Sequence, residues 1–171
     1  MPNHVTHNFT IEGTEENIKQ FIDECFDKEG EFDFNRLIPM PDILENTMCG
    51  STPEMQTEEY KEKTDEAIKT TGYSNWYDWR LEHWGTKWNA YHTQIDHQGD
   101  FLELIFDTAW SCPEPIFKAL SEKFPLLSFE GYAMDEGYCF GSSITIDSDG
   151  HNIEYFDIHV GFLKAFGYRF D

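Results

Sequence analysis

The sequence predicts a single α+β domain in which an antiparallel sheet carries two helices on one face. Stretches of alternating apolar and polar residues, typical of half-buried strands, recur along the chain of 171 residues. Two further stretches have apolar residues at helical spacing. The length and the 39% share of hydrophobic residues are sufficient for one hydrophobic core.

The first strand and the first helix are predicted at the N-terminus. In HVTHNFTIEG every second residue is expected to face the core, namely Val5, His7, Phe9 and Ile11. Thr14 then has the side chain and the position of a helix N-cap, and TEENIKQFIDECF continues with apolar residues at helical spacing. We expect this helix to end near Gly30.

A mostly polar insertion is predicted from about residue 40 to residue 74. The stretch EFDFNRLIPMPDIL leads into it and is expected to be extended, because each of its two prolines disfavours helix in the residue before it. A helix starting at Thr52 and Pro53 is expected over 51–71, supported by acid and lysine pairs at i,i+4. Its few apolar residues predict shallow burial.

Four of the five tryptophans stand close together in the sequence, and they are Trp76, Trp79, Trp84 and Trp88. Asn75 is predicted to cap a short helix that runs through His83, and Gly85 is placed to end it. The next strand is predicted in TKWNAYHTQID, which puts Trp88 on that strand.

The second half of the chain is predicted to alternate strands with one more helix. FLELIFDTAW is a strand whose core-facing residues are Leu102, Leu104, Phe106, Thr108 and Trp110. A helix begins near Pro113 and stops at Pro125. LLSFEGYAM and YCFGSSITID are the next strands. Four apolar residues of the second strand are expected on one side of it, namely Tyr138, Phe140, Ile144 and Ile146. Asp149 and Gly150 then make a tight turn into NIEYFDIHV. The aromatic tail GFLKAFGYRFD is expected to pack against the body.

Without the insertion, the order of elements is strand, helix, strand, strand, helix, strand, followed by a C-terminal β-hairpin extension. This is the order of a ferredoxin-like fold, in which two helices cover one face of an antiparallel sheet. We therefore predict one ferredoxin-like domain over residues 1–171, interrupted by the insertion at about 40–74.

Several motifs resemble a known family, and they are NHVTHNFTIEG, FDFNRLIPMPDIL, HWGTKWNAY, TAWSCPEPIFKALSEKFP and DEGYCFGSSI. Together they resemble the YubB ferredoxin-like domain family, whose members are proteins of phages, plasmids and integrated elements in bacteria. The resemblance covers nearly the whole chain except residues 45–74. It implies the fold and a bacterial host cell, and it implies no established activity.

Acidic residues dominate the charge, with 33 Asp and Glu against 12 Lys and Arg and a formal net charge of -21. Residues 88–117 and 124–163 contain no lysine or arginine. These two stretches hold the candidate acidic interface, which consists of Asp96, Asp100, Glu103, Asp107, Glu130, Asp135, Glu136, Asp147, Asp149, Glu154 and Asp157. Such a surface repels nucleic acids. It serves either solubility or the binding of a basic partner.

No catalytic, cofactor or metal site is predicted. The four cysteines form no C-x-x-C pair and no iron–sulfur spacing, and they are interpreted as reduced thiols of a cytosolic protein. His4 and His7 are three residues apart on a strand and are expected to face opposite ways. Neither a nucleophile elbow nor a phosphate loop occurs. In DEGYCFGSSI, Glu136 stands where the aromatic RNA-binding signature needs a basic residue. No apolar run is as long as a membrane span, and no signal peptide is recognised.

The function expected from these observations is that of a non-catalytic protein in the cytoplasm of a bacterial host cell. It would bind a host protein with a basic surface through its own acidic surface, as a nucleic-acid mimic that inhibits a host defence system. The alternative is a small-molecule-binding protein or an uncharacterised enzyme that uses a pocket around the tryptophans. The candidate pocket residues are Trp84, Lys87, Asn89 and Tyr91.

Overall fold

A six-stranded antiparallel sheet is the framework of the fold. The computed structural model describes residues 3–50 and 57–156. The strands are β1 (His4–Glu12), β2 (Tyr91–Gln98), β3 (Phe101–Ala109), β4 (Ser128–Asp135), β5 (Gly141–Asp147) and β6 (Gly150–Phe156). The helices are α1 (Glu15–Cys25), α2 (Glu58–Thr71), α3 (Trp76–His83) and α4 (Glu114–Lys123).

The strand order confirms the predicted ferredoxin-like arrangement. The sheet runs β2-β3-β1-β4-β5-β6, and every neighbouring pair is antiparallel. The first four strands in this order are the ferredoxin-like part, and β5 with β6 extends the sheet beyond β4 as the predicted hairpin. Asp147 pairs with Gly150 at the end of this hairpin, so its loop is two residues long.

Helices α1 and α4 cover the same face of the sheet, and the core lies between the helices and that face. Phe21 of α1 meets Phe129 of β4 edge-on, with ring centroids 5.6 Å apart. Phe117 of α4 meets Phe9 of β1 in the same way at 5.5 Å. Edge-to-face aromatic pairs at this distance are favourable beyond the apolar area that they bury. The predicted alternation of β1 is confirmed, since its core-facing residues are all buried: Val5, His7, Phe9 and Ile11.

His7 is a fully buried titratable residue in this aromatic core. Its ring stacks on Phe106 with centroids 4.7 Å apart, and its Nε2 lies 2.9 Å from the hydroxyl oxygen of Thr108. The Thr108 hydroxyl donates its own hydrogen to the carbonyl of Ser111, so the Nε2–H of His7 must be the donor to Thr108. The Nδ1 atom is then a bare acceptor, and it is buried without a hydrogen-bond partner. Burial lowers the pKa of His7 from 6.5 to about 3.

Helix α1 ends at Cys25, five residues before the predicted end at Gly30. Thr14 caps it as predicted, because its hydroxyl accepts the N–H of Asn17. The chain becomes extended at Phe26, which forms a β-bridge with Phe32. Gly30 belongs to the turn between these two residues and has a positive φ of 87°. The turn replaces the last helical residues because it buries both phenylalanines.

The insertion is helical, as predicted, over α2. Thr57 caps α2, and Ala67 is its one buried residue, which agrees with the predicted shallow burial. The predicted start at Thr52 and Pro53 lies outside the described residues. The preceding stretch was predicted as extended, but it contains two short 3₁₀ helices, Phe34–Arg36 and Asp42–Leu44. Each of them buries one apolar side chain against the core.

Three aromatic residues that were predicted on strands lie outside them. Trp88 precedes β2, Trp110 follows β3, and Tyr138 lies in the turn between β4 and β5. Trp110 and Tyr138 have positive φ angles of 75° and 56°, so the backbone turns where the apolar alternation in the sequence continues. The predicted packing of the aromatic tail concerns residues outside the described part of the chain. No helix in the described ranges is long and apolar enough to cross a bilayer.

Replacing His7 is expected to flatten the pH dependence of stability. Between pH 6.5 and about pH 3 the unfolded chain binds a proton at His7 that the folded chain does not bind. The free energy of unfolding therefore decreases as the pH falls through this window, by about 1.4 kcal/mol per pH unit from this residue. In His7→Phe the ring still stacks, but this contribution is lost.

Urea unfolding at several pH values within that window measures the effect. The slope against pH is expected to be smaller in His7→Phe than in the unmodified protein, and His97→Phe controls for the loss of a histidine near the β2–β3 turn. Parallel slopes for the unmodified protein and His7→Phe would contradict the assignment.

Candidate functional site

The face of the sheet opposite α1 and α4 is called the open face here. Paired residues on neighbouring strands share a face, so the strand registers define its members. One row across the open face consists of Asp96, Glu103, Thr10, Glu130 and Thr145. The next row contains Ile105, Asn8 and Tyr132. Glu103, Glu130 and Tyr132 are exposed, so this face is accessible to a partner.

The open face is acidic throughout. Seven strand carboxylates belong to it, and they are Glu12, Asp96, Glu103, Asp107, Glu130, Asp147 and Glu154. All are exposed except Asp107, which is partly buried. None of the six strands contains a lysine or arginine. The described basic residues lie on helices and loops, so no cation from the strands neutralises this face.

Two carboxylates of the open face are direct cross-strand neighbours. Asp96 of β2 pairs with Glu103 of β3, and both are exposed. Like charges directly opposite each other on a sheet destabilise it. Neighbouring strands are about 4.8 Å apart, so Glu130, two strands beyond Glu103, lies at about twice that distance. The face therefore carries closely spaced negative charge that opposes folding.

The structure gathers six of the eleven predicted interface acids on the open face. Asp100, Glu136 and Asp149 are exposed but lie in turns at the sheet ends. Asp135 is 3% exposed and faces the helix side, where it accepts hydrogen bonds from the Asn3 side chain and the Cys139 backbone N–H. It is therefore not a surface residue. Asp157 lies outside the described residues.

Glu12 is an open-face acid that the sequence analysis missed. It pairs with Phe101 and Ser128 at the end of β1. Glu12 precedes both of the stretches without lysine or arginine that define the candidate acidic interface. The alternation of β1 was the available signal, since it places Glu12 on the side opposite Ile11.

One end of the open face carries two histidines and a tyrosine. The Tyr91 hydroxyl lies 2.7 Å from Nδ1 of His4 and 3.2 Å from the carbonyl oxygen of Thr108. The side chain of His92 contacts the carboxylate of Asp107 at 2.9 Å. Burial, with additional repulsion from acidic neighbours, raises the pKa of Tyr91 to about 12. Tyr91 therefore remains a neutral hydrogen-bonding residue and is not a base.

A polar cavity of about 220 Å³ lies elsewhere, and we call it the Arg80 cavity. Its lining residues are Asp33, Asn35, Met40, Asp42, Glu45, Arg80, Trp84 and Asn89. Two of the four predicted pocket residues, Trp84 and Asn89, line it. Lys87 instead lies against the rings of Trp88 and Trp110, at 5.3 and 4.9 Å from their centroids. Tyr91 contacts His4, so the four residues do not form one pocket.

Trp84 and Asn89 fix the wall of the Arg80 cavity. The indole N–H of Trp84 donates to the carbonyl of Ile38 at 2.9 Å, and Trp84 is 1% exposed. The Asn89 side-chain oxygen accepts the backbone N–H of Phe34 at 2.8 Å and also that of Ala90. Its amide nitrogen donates to the carboxylate of Asp33 at 2.7 Å. These bonds join residues 33–38 to the chain that enters β2.

Arg80 projects from α3 into this wall. Its guanidinium carbon lies 4.9 Å from the ring centroid of Trp76 and 4.7 Å from that of Trp84. Its Nε atom is buried and has no hydrogen-bond partner in the described part of the chain. Burial lowers the pKa of Arg80 from its usual value, and the negative charge of Glu45 acts in the opposite direction.

Metal ligation has no support from the described residues. His4 and His7 lie on opposite faces of the sheet, as predicted. Within residues 3–50 and 57–156, no three His, Cys, Asp or Glu side chains are grouped so that they could hold a metal ion.

The comparisons with known proteins agree with the fold. Residues 87–167 match a family model described as a ferredoxin-like domain in Api92-like protein. The crystal structure of protein api92 from Yersinia pseudotuberculosis is similar, with a TM-score of 0.51 and 10% sequence identity over 94% of this chain and 99% of that one. At this identity the likeness shows the fold alone. No curated protein matches the chain. The resemblance to the YubB family stays a prediction.

Replacing Asn89 is expected to destabilise the protein strongly. Asn89→Ala leaves the backbone N–H groups of Phe34 and Ala90 and the carboxylate of Asp33 without their present partner. Each lost partner of a buried polar group costs about 1–3 kcal/mol, so the free energy of unfolding is expected to fall by roughly 2–4 kcal/mol. Urea unfolding measures this loss. Asn152→Ala, at an exposed open-face position, is the matched control, and equal losses in both variants would contradict the assigned role.

Proposed function

We propose that the protein is a non-catalytic binding module that docks its open face on the basic surface of a partner protein. The observation that carries this proposal is the set of seven strand carboxylates on one face of a sheet whose strands have no lysine or arginine. Complementary charge accelerates association and selects against wrong partners.

The like-charge pair Asp96 and Glu103 supports this role. The repulsion between their carboxylates destabilises the isolated fold, and a cation placed between them would relieve it. Tyr132 supports it too, because it is 46% exposed in the row next to Glu130. Tyrosine is one of the residues that most often contribute binding energy at the centre of an interface.

The cysteine thiols favour a non-catalytic role. Burial raises the pKa of Cys25 to about 12 and also raises the pKa of Cys112. The carboxylate of Asp135 raises the pKa of Cys139 through a hydrogen bond and through its negative charge. Each of these thiols is therefore protonated near neutral pH and is a poor nucleophile.

The partner that we propose is a protein of a bacterial host cell whose basic groove otherwise binds nucleic acid. The acidic face would occupy that groove in the cytoplasm as a mimic of the phosphate backbone and so inhibit a host defence system. The resemblance to the YubB family of phages and plasmids supports a bacterial host. Nucleic acid is a poor candidate partner, because the central strands present Thr10, Glu103 and Asp107 where base-stacking sheets present aromatic residues.

Neutralising the centre of the open face is expected to weaken partner binding more than the same charge change elsewhere. The test variant combines Asp96→Asn, Glu103→Gln and Glu130→Gln. The control variant combines Glu16→Gln, Glu62→Gln and Glu66→Gln, which are exposed on α1 and α2. A partner captured from bacterial lysate on the unmodified protein is purified and titrated with all three proteins.

The dissociation constant is expected to rise at least about tenfold for the test variant, a loss of about 1.4 kcal/mol, and to change little for the control. Binding is also expected to weaken as the salt rises from about 0.1 M to about 1 M, since the Debye length falls from about 10 Å to about 3 Å. Equal effects of the two variants, or an affinity independent of salt, would overturn the docking proposal. Failure of duplex DNA to compete for the partner would overturn the mimicry.

A further inference from the structure

We propose that the Arg80 cavity binds a small zwitterion that carries one carboxylate and one ammonium group. The inference concerns the chain between α1 and β2 and does not rest on the open face. It starts from an arginine whose buried Nε–H has no hydrogen-bond partner among the described residues.

The guanidinium of Arg80 is held in place but not hydrogen-bonded. Among the described residues it forms no hydrogen bond and no ion pair, and its contacts are with the rings of Trp76 and Trp84. Aromatic rings stack on the face of a guanidinium and leave its N–H edge for a planar anion. That edge matches a carboxylate, which accepts two parallel N–H bonds. The partly buried guanidinium has lost part of its hydration, and a carboxylate bound at its N–H edge would offset this loss.

Carboxylates line the same cavity but form no ion pair with Arg80 within the described residues. The side-chain carboxylates of Asp42 and Glu45 accept no hydrogen bond and form no ion pair within the described residues, and the backbone carbonyl of Asp42 accepts the N–H of Glu45. Asp33 is already engaged by the Asn89 amide and the backbone N–H of Asn35. Asp42 and Glu45 are therefore the free acceptors, and both are exposed at the cavity. They suit the ammonium group of a ligand whose carboxylate meets Arg80.

Separated charges of both signs favour a zwitterion over a singly charged ligand. A plain anion would meet the repulsion of the carboxylates, and a plain cation would meet that of the guanidinium. A zwitterion satisfies both kinds of group at once. The volume of about 220 Å³ holds about seven water molecules at about 30 Å³ each, so there is room for a ligand of a few non-hydrogen atoms. Small amino acids have this size.

Calorimetric titration of the whole protein tests the inference with defined probes. The zwitterions are glycine, β-alanine and 4-aminobutyrate, in which the two charges are increasingly far apart. Butyrate and butylamine keep the carbon chain of 4-aminobutyrate but carry one charge each. We expect at least one zwitterion to bind with a dissociation constant below about 1 mM, and at least about tenfold more tightly than both singly charged probes.

Variants assign the binding to the cavity. Arg80→Gln is expected to weaken zwitterion binding at least about tenfold, whereas Lys118→Gln, the same charge change on exposed α4, leaves it unchanged. Arg80→Lys keeps the positive charge but not the planar fork of N–H donors, and it is also expected to weaken zwitterion binding. It replaces Arg80→Gln in the test if that variant does not fold. The double variant Asp42→Asn with Glu45→Gln is expected to weaken zwitterion binding but to strengthen butyrate binding.

Three results would overturn the inference. The first is the absence of binding by all three zwitterions at about 1 mM. The second is equal binding by butyrate and 4-aminobutyrate, which would make the cavity a simple anion site. The third is zwitterion binding that neither Arg80 variant changes. The Arg80 resonances in ¹H–¹⁵N spectra give an independent readout, since direct binding shifts the Nε–H signal of Arg80.

Discussion

The two-residue alternation of the strands is the constraint on which the rest of the structure depends. Strands β3, β1, β4 and β5 turn apolar residues toward α1 and α4 and turn the neighbouring residues away from them. A slip of one residue in the register of β1 against β3 would place Phe9 opposite Glu103 on one face, so that either Phe9 becomes exposed or Glu103 becomes buried. Burying an unpaired carboxylate is costly, and so is exposing a phenylalanine. The acidic face and the aromatic core therefore stabilise the same register.

This division also explains why the core is aromatic. The charges of the open face repel one another, so the side of the sheet that contacts the helices must contribute most of the stability. Large rings bury much area per residue, and those of His7, Phe9, Phe106 and Phe117 contact one another at the centre. Even His7 stays neutral there and packs as an aromatic ring. The fold thus tolerates a negatively charged surface on the opposite side of the sheet.

The sequence predicted those features that depend on local pattern. Alternation identified β1 and β3, and the caps at Thr14 and Asn75 located the helix starts, because a cap bonds within its own helix. Prediction failed at the ends of strands. At Trp110 the alternation of apolar and polar residues continues in the sequence, but the backbone adopts a positive φ. Only the surrounding fold determines this backbone conformation. Asp135 was assigned to the surface because its burial depends on the distant Asn3.

The Arg80 cavity was beyond prediction for a related reason, because residues 33–45 and 80–89 meet only through the fold. Asn89 makes this connection, and it is the one lining residue within the stretch 87–167 that matches the Api92-like domain. The other lining residues belong to the chain between α1 and β2, which contributes no strand to the sheet. The open face is built from strands and the cavity from this connecting chain. The acids of the open face and the lining residues of the cavity are different residues, so the two binding proposals stand or fall separately.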